Sequence, residues 1–308
     1  MKTLLLVDGH AIIHRAFHAL PPLSNREGIP TNAIYGFFGM LHKATVDFHP
    51  DFLVVCFDTP KPTFRKKLFK KYQSNRPAMD DTLKPQIPYI KKLLDLAHIA
   101  RLEKPGFEAD DVIGTIAAHN KQHDLRILIL TGDRDLMQLS TTTTLIMTPR
   151  TGLSDIHLYT PQEVEKKMGV KPKQIPDFKA LAGDPSDNYR GVEGVGQKTA
   201  ANLITRFDNI EKLYQNLSTI DNSKLQKKLA NQKKDVLLFK KLATIVTDIK
   251  TDLSLEKMKF SGFNSQMKEG LQQLQLSSLL KRFFDNKPQL TKKISPVKTI
   301  NSSQINLF

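Results

Sequence analysis

Three short aliphatic runs, Thr3–Val7, Phe52–Phe57 and Arg126–Leu130, are each followed by Asp, Gly or Thr and then by a helix-like pattern. This βα rhythm predicts an α/β fold with a mostly parallel central sheet and helices on both faces. In such sheets ligands bind beyond the carboxyl ends of the strands. Asp8, Asp58 and Asp133 fall at or just past those ends, so the folding that builds the sheet also gathers them at one crevice.

Further acids lie in Glu108-Ala-Asp-Asp111, Asp133-Arg-Asp135 and Asp184-Pro-Ser-Asp187, which with Asp8 and Asp58 make nine. Converging on one site, nine carboxylates could not all stay ionised without cations, because like charges raise one another's pKa. Oxygen-only ligation favours Mg²⁺ or Mn²⁺ over Zn²⁺, and no Cys/His set has zinc spacing. Two such ions about 4 Å apart can activate a water and stabilise the departing oxygen in phosphodiester hydrolysis. Singly, each acid also reads as a strand-end or capping residue, and Glu108, Asp110 and Asp111 fit a first helical turn. Their joint placement is what points to chemistry.

The charge names a partner class. Of 308 residues, 25% are charged, and the net charge of +15 favours a polyanion, nucleic acid ahead of an anionic membrane. A hydrophobic content of 40% is enough for one large core or two smaller ones. The one cysteine, Cys56, sits inside an apolar run and reads as a buried, inert thiol, which fits a reducing cytoplasm. Asp8 and His10 interrupt the apolar start too early for a signal peptide, and no stretch approaches the roughly 20 apolar residues of a membrane span. A soluble, unprocessed, monomeric protein is expected.

Lys61–Lys92 holds ten Lys or Arg against Asp80 and Asp81, with Phe64, Leu68, Phe69 and Tyr72 interleaved at helical spacing. An amphipathic surface helix explains this as well as a mobile phosphate-gripping element with aromatic rings for stacking. Thr160-Pro-Gln-Glu163 reads as an N-cap, a proline at N1 and a capping-box Glu, opening an α-rich lobe over 161–286. Within it, Gly191-Val-Glu-Gly-Val-Gly196 precedes a helix starting near Gln197. Glycines there let backbone approach a phosphate at a helix amino terminus, and Lys198 is the expected contact. Residues 287–308, rich in Ser, Asn, Lys and Pro, read as a flexible tail.

Val7-Asp-Gly-His10, Phe57-Asp58, Pro105-Gly-Phe-Glu-Ala-Asp-Asp111, Thr131-Gly-Asp-Arg-Asp135 and Gly183-Asp-Pro-Ser-Asp-Asn188 resemble, in order, the signature blocks of the bacterial 5′-3′ exonuclease and flap endonuclease family. The same domain forms the amino-terminal part of many bacterial DNA polymerases I. The resemblance covers about residues 2–286. It implies that Asp8, Asp58, Glu108, Asp110 and Asp111 surround one Mg²⁺ or Mn²⁺, and Asp133, Asp135, Asp184 and Asp187 a second. Arg76 joins this catalytic set, neutralising developing charge with a neighbouring lysine.

The resemblance also makes residues 61–95 a helical arch on a nuclease core of 1–160, and the glycine turn a helix–two-turn–helix motif that grips duplex DNA and can hold K⁺. The DNA contacts so implied are Arg15, Phe64, Arg65, Lys70, Lys71, Tyr72, Gln73, Arg76, Gly191, Gly194, Gly196, Lys198 and Thr199. Such contacts read duplex shape and strand ends, not bases. Gln73 departs from the family, which usually carries a lysine there that helps hold the scissile phosphate; a neutral amide weakens that hold. Tyr189 and Arg190 also depart, without removing a metal ligand.

Gln304-Ile-Asn-Leu-Phe308 resembles the peptide by which bacterial replication enzymes dock on the sliding clamp, with Gln304, Leu307 and Phe308 as anchors. The expected activity is hydrolysis of DNA near single-strand to double-strand junctions, by a stand-alone nuclease or an isolated domain. The alternatives are a DNA-binding paralogue with weak or no catalysis, supported by Gln73 alone, and an RNA-cleaving nuclease with a related acidic site.

Overall fold

The computed structural model of the chain describes residues 1–120, 124–150, 155–251 and 254–285. Six strands occur in chain order as β1 (Lys2–Asp8), β2 (Phe52–Phe57), β3 (Ala100–Glu103), β4 (Leu125–Leu130), β5 (Thr144–Pro149) and β6 (Ile156–Tyr159). Across the sheet they run β3-β2-β1-β4-β5-β6, all parallel except β6, which pairs antiparallel with β5. The order reverses between β1 and β4, and the crevice beyond that reversal is where ligands bind in such sheets.

Successive side chains of a strand point to opposite faces, and both faces are covered. Leu4, Leu6, Val54, Cys56, Ile127 and Ile129 enter one core with the helix Ala109–His119, whose Val112, Ile113 and Ile116 join it. Leu5, Val7, Leu53, Val55, Leu128 and Leu130 enter the other, with Ile12 and Ile13, Phe37 and Phe38, and Ile90 from three further helices. These are α1 (Gly9–Ala19), α2 (Asn32–Phe48) and α4 (Gln86–Leu96), separated by the short α3 (Phe64–Leu68); α5 spans Ala109–His119. Each fully buried aliphatic side chain contributes about 1.5–3 kcal/mol. The sheet with helices on both faces is thus the one the sequence predicts.

The basic segment is not one amphipathic helix. It is helical only toward its ends, in α3 and α4, with turns over 70–75 and 81–85 and irregular chain between them. Pro77 and Pro85 remove backbone donors there, and Gln73 takes a left-handed φ of 53°, so a helix cannot propagate through. Its far end is anchored: buried Gln86 accepts from the Ala33 N–H at 2.8 Å and donates to Thr82 O at 2.9 Å.

From Thr160 the chain is helical, as its capping box predicts. Glu163 N–H donates to Thr160 Oγ1 at 3.3 Å and Thr160 N–H to Glu163 Oε2 at 2.9 Å. Helices α6 (Pro161–Met168), α7 (Ile175–Ala182), α8 (Gln197–Phe207), α9 (Ile210–Gln215), α10 (Ser223–Asn231) and α11 (Lys233–Ala243) form this part. Then α12 (Ser265–Gln273) and α13 (Ser277–Leu280) return to the sheet, burying Met267, Leu271 and Leu279 in the second core. Gln304, Leu307 and Phe308, with the rest of the tail, lie outside the described residues. No described helix is long and apolar enough to cross a membrane.

Candidate active site

The site assembles at the reversal of strand order. Asp8, the last residue of β1, caps α1: its Oδ1 accepts from Ala11 N–H at 3.1 Å, and its Oδ2 accepts from Thr131 Oγ1 at 2.8 Å. Thr131 directly follows β4, and its Oγ1 also accepts from Asp133 N–H at 2.9 Å, so one hydroxyl joins the ends of the two strands. Asp58 directly follows β2; its Oδ1 accepts from Ala109 N–H at the start of α5 at 2.8 Å. Its own N–H donates to His10 Nδ1 at 3.0 Å, with Oδ2 3.3 Å from the same nitrogen. Glu108 is the N-cap of α5, and Asp110 and Asp111 lie in its first turn.

Burial and mutual repulsion raise three of these carboxyls, while Asp58, against its own burial, is held below the ordinary carboxylate value by His10, the Ala109 N–H and Arg76. Burial pushes the Glu108 pKa up to about 7, against the pull of Arg65 and with the charges of Asp111, Asp187 and Asp58 adding. Asp110 is raised by burial and then by Asp133, Asp8, Asp135 and Glu108; Asp8 is raised by burial and then, against its hydrogen bonds, by Asp58 and Asp133. Glu108, Asp110 and Asp8 are therefore each destabilised as anions in part by neighbouring carboxylates, and a cation among them relieves that repulsion.

Asp135, Asp184 and Asp187 form a second group whose oxygens lie within 4.8 Å of one another. Lys179, from the middle of α7, forms ion pairs with both Asp135 and Asp184. Burial opposes its charge, but Asp135, Tyr189 and Asp184 outweigh burial and hold its pKa above the ordinary lysine value. Asp184 Oδ1 also accepts from Ser186 N–H at 2.8 Å. An all-oxygen donor set that draws an ammonium into its midst fits a hard divalent ion and not zinc-type ligation.

Two expected site residues lie elsewhere. Asp111 is fully buried and faces Arg65, which donates from Nη1 to Oδ2 at 2.6 Å and from Nη2 to Oδ1 at 2.7 Å; Val246 N–H adds a bond at 2.9 Å. With the Glu108 N–H also donating to Oδ2 at 3.1 Å, each Asp111 oxygen already accepts two hydrogen bonds. Arg65 in turn spends Nε on Leu242 O at 2.7 Å and Nη2 on Thr244 O at 2.9 Å, and is 2% exposed, so it ties the two parts of the chain together and offers almost no surface to a ligand.

The other expected contacts divide by exposure. Phe64 packs on Phe107 with ring centroids 5.9 Å apart, and Tyr72 is buried, its hydroxyl 3.3 Å from both Glu108 Oε2 and Asp187 Oδ2. Gln73 and Arg76 reach Asp187. Lys70 and Lys71 are exposed and, with Arg190 and Asn188, border a cavity of about 660 Å³. Arg15 Nη2 donates to Arg150 O at 2.5 Å. At the hairpin Gly191 is buried, Gly194, Gly196 and Lys198 are exposed, and Thr199 is half-buried. Tyr189 is buried and stacks on Phe239 at 4.9 Å. Lys179 and Thr131 were not among the residues the sequence singled out. Thr131 lies within a signature block, but nothing in the spacing distinguishes Lys179 from other helical lysines.

Carboxylates at the strand-order reversal of a doubly wound sheet, with a basic segment fastened over them and a glycine-cornered helical hairpin alongside, have the make-up of a nuclease site able to hold a divalent ion. Over residues 3–169 the chain matches the family described as 5'-3' exonuclease, N-terminal resolvase-like domain, and over 170–266 that described as 5'-3' exonuclease, C-terminal SAM fold. The chain belongs to the 5′-3′ exonuclease family. It is 42% identical over 283 residues to a 5'-3' exonuclease of Aquifex aeolicus, covering 91% of this chain and 95% of that one. It is 43% identical over 265 residues to the DNA polymerase I of Bacillus subtilis, covering 86% of this chain but 30% of the polymerase. The chain thus spans under a third of that polymerase's length. Its fold is similar to the T5 D15 protein crystallised with metal ions, with a TM-score of 0.65 at 19% identity, covering 92% of this chain and 99% of that one. It is also similar to the catalytic core of Rad2 in complex with DNA substrate, with a TM-score of 0.55 at 17% identity and coverage of 93% and 88%.

Proposed function

We propose that this chain hydrolyses DNA phosphodiesters at junctions between single and double strands, using two divalent ions, Mg²⁺ or Mn²⁺. The observation that supports the reading is the clustering of Asp135, Asp184 and Asp187, with Lys179 drawn in among them, beside Asp8, Asp58, Glu108, Asp110 and Asp133, whose charges act on one another and on Asp135. Asp8, Asp58, Glu108 and Asp110 would hold one ion, and Asp135, Asp184 and Asp187 the other, with Asp133 between; Asp111, committed to Arg65, holds neither. Bound there, divalent ions supply Lewis acidity for attack on phosphorus.

The chain's own residues orient the substrate. The exposed Lys70, Lys71 and Arg190 offer charge to a strand leaving the crevice, and the start of α8 with Lys198 offers donors to a duplex phosphate. K⁺ on hairpin carbonyls and a sliding clamp on Gln304, Leu307 and Phe308 are further partners of this reading; deleting Ser303–Phe308 and measuring clamp affinity tests the latter, and unchanged affinity removes it. Eight carboxylates pressed together without cations would be costly, which weighs against a purely DNA-binding paralogue.

A 5′-labelled flap DNA and the matching RNA, incubated with Mg²⁺, Mn²⁺ or EDTA, test the proposal. Metal-dependent cleavage of DNA near the junction is the expected result. Absence of any metal-dependent DNA cleavage overturns it.

A further inference from the structure

The middle of the basic segment is fastened to the loop that carries Asp187. Gln73 donates its backbone N–H to Asp187 O at 3.1 Å and its Nε2 to Asp187 Oδ1 at 3.0 Å. Arg76 Nη2 donates to the same Oδ1 at 3.0 Å, and the Tyr72 hydroxyl lies 3.3 Å from Oδ2. Around this core, Asn188 Nδ2 donates to Lys71 O at 2.9 Å and to Ser74 Oγ at 2.8 Å, and Asn75 Nδ2 to Pro185 O at 2.7 Å.

We infer that Gln73 is a positioning residue for the second divalent ion, acting through Asp187 and not as a contact to the scissile phosphate. The inference rests on Asp187 being a ligand of that ion. A carboxylate oxygen has two lone pairs, and at Oδ1 both are taken, by Gln73 and Arg76. Oδ2, with one long hydrogen bond, is the oxygen left with capacity for a cation. Two donors on Oδ1 fix the carboxyl's rotation and so decide which oxygen is offered to Asp135 and Asp184, with which it clusters. Partners that orient a ligand in this way set metal affinity.

The residue type fits the role. A neutral amide orients Asp187 without placing a second full charge beside the ion, next to that of Arg76. Gln73 also sits at a φ of 53°, a left-handed conformation unfavourable for a side chain with a Cβ. Such backbone persists where its surroundings over-determine it, and here both the main-chain and side-chain donors of Gln73 end on Asp187.

Titration of the full chain with Mn²⁺, followed by calorimetry and by the spin-resonance signal of free ion, reads two sites in the wild type. Asp187→Asn is expected to abolish the second and spare the first. Gln73→Asn suits the left-handed backbone but its amide falls one methylene short; Gln73→Leu keeps the bulk without the donor. Both are expected to weaken the second Mn²⁺ by about 10–100-fold. The first site and the affinity for 5′-flap DNA in EDTA should stay within about twofold of the wild type, and thermal unfolding reports the fold. Second-site affinity unchanged in both Gln73 variants overturns the inference, as does a loss confined to DNA affinity. If Asp187→Asn leaves both sites intact, the ligand assignment itself fails and the inference falls with it.

Discussion

Arg65 and Asp111 form a bidentate pair, Nη1 to Oδ2 at 2.6 Å and Nη2 to Oδ1 at 2.7 Å, buried where the sheet-based part of the chain meets the end of α11. Removing one member of a buried pair leaves the other charged and uncompensated, which costs about 3–5 kcal/mol. Arg65→Ala is therefore expected to lower the unfolding free energy by about that amount, and Asp111→Asn by somewhat less, since an amide still meets part of the guanidinium. Chemical denaturation checks this. A loss under about 1 kcal/mol for Arg65→Ala would return Arg65 to the surface and to a DNA-binding role.

Lys179 offers a second test, because its ammonium holds Asp135 and Asp184 together in the absence of a divalent ion. Lys179→Met removes that charge, so the metal-free protein should lose stability, by about 3–5 kcal/mol on the same argument. Added Mg²⁺ should then stabilise the variant more than the wild type, by roughly 5 °C or more in Tm. Thermal unfolding with EDTA and with Mg²⁺ gives both numbers. Equal Mg²⁺-induced shifts in the two proteins would show that Lys179 does not neutralise this group.

How much of this was legible beforehand depends on where the information sits. Asp8, Asp58 and Asp133 were readable because strand ends are local, and the parallel sheet brings local ends together. Asp111 was not, because neighbours in a first helical turn differ by about 100° in direction and the sequence does not say which faces the crevice. Here Asp110 faces the acids and Asp111 the protein interior. Arg65 stood among ten cations with no mark of burial, since its partners Leu242 O and Thr244 O are main-chain atoms far along the chain. Strand β3 escaped notice because it is four half-buried residues carrying Arg101 and Glu103.

The raised carboxyls give stability a defined pH dependence. Glu108 moves up to about 7, and Asp8 and Asp110 move upward too, so without metal the folded state binds protons that the unfolded chain has already released. Their contribution is complete below the ordinary carboxylate range and is lost as pH rises through about 7. In EDTA, Tm should therefore fall between about pH 5 and pH 8. Saturating Mg²⁺ should flatten or reverse the trend, because it binds the deprotonated groups and expels their protons. Parallel curves in EDTA and Mg²⁺ would detach the carboxyls from metal binding.

The hairpin glycines separate folding from DNA contact. A Cβ on Gly183 would lie 2.4 Å from Arg190 O, and one on Gly191 2.3 Å from Gly183 N, with φ of 81° and 66°, so neither position admits a side chain. Gly191→Ala should destabilise the hairpin and lower duplex affinity together. Gly196, the N-cap of α8, has φ −85° and nothing within 4 Å of an added Cβ. Gly196→Ala should thus fold with stability unchanged to within about 1 kcal/mol. If the start of α8 meets a duplex phosphate, the added methyl holds that phosphate away, and affinity for duplex DNA in EDTA should fall roughly tenfold with a shallower salt dependence. A Gly196→Ala protein that binds duplex as the wild type does would remove the α8 amino terminus from the DNA interface.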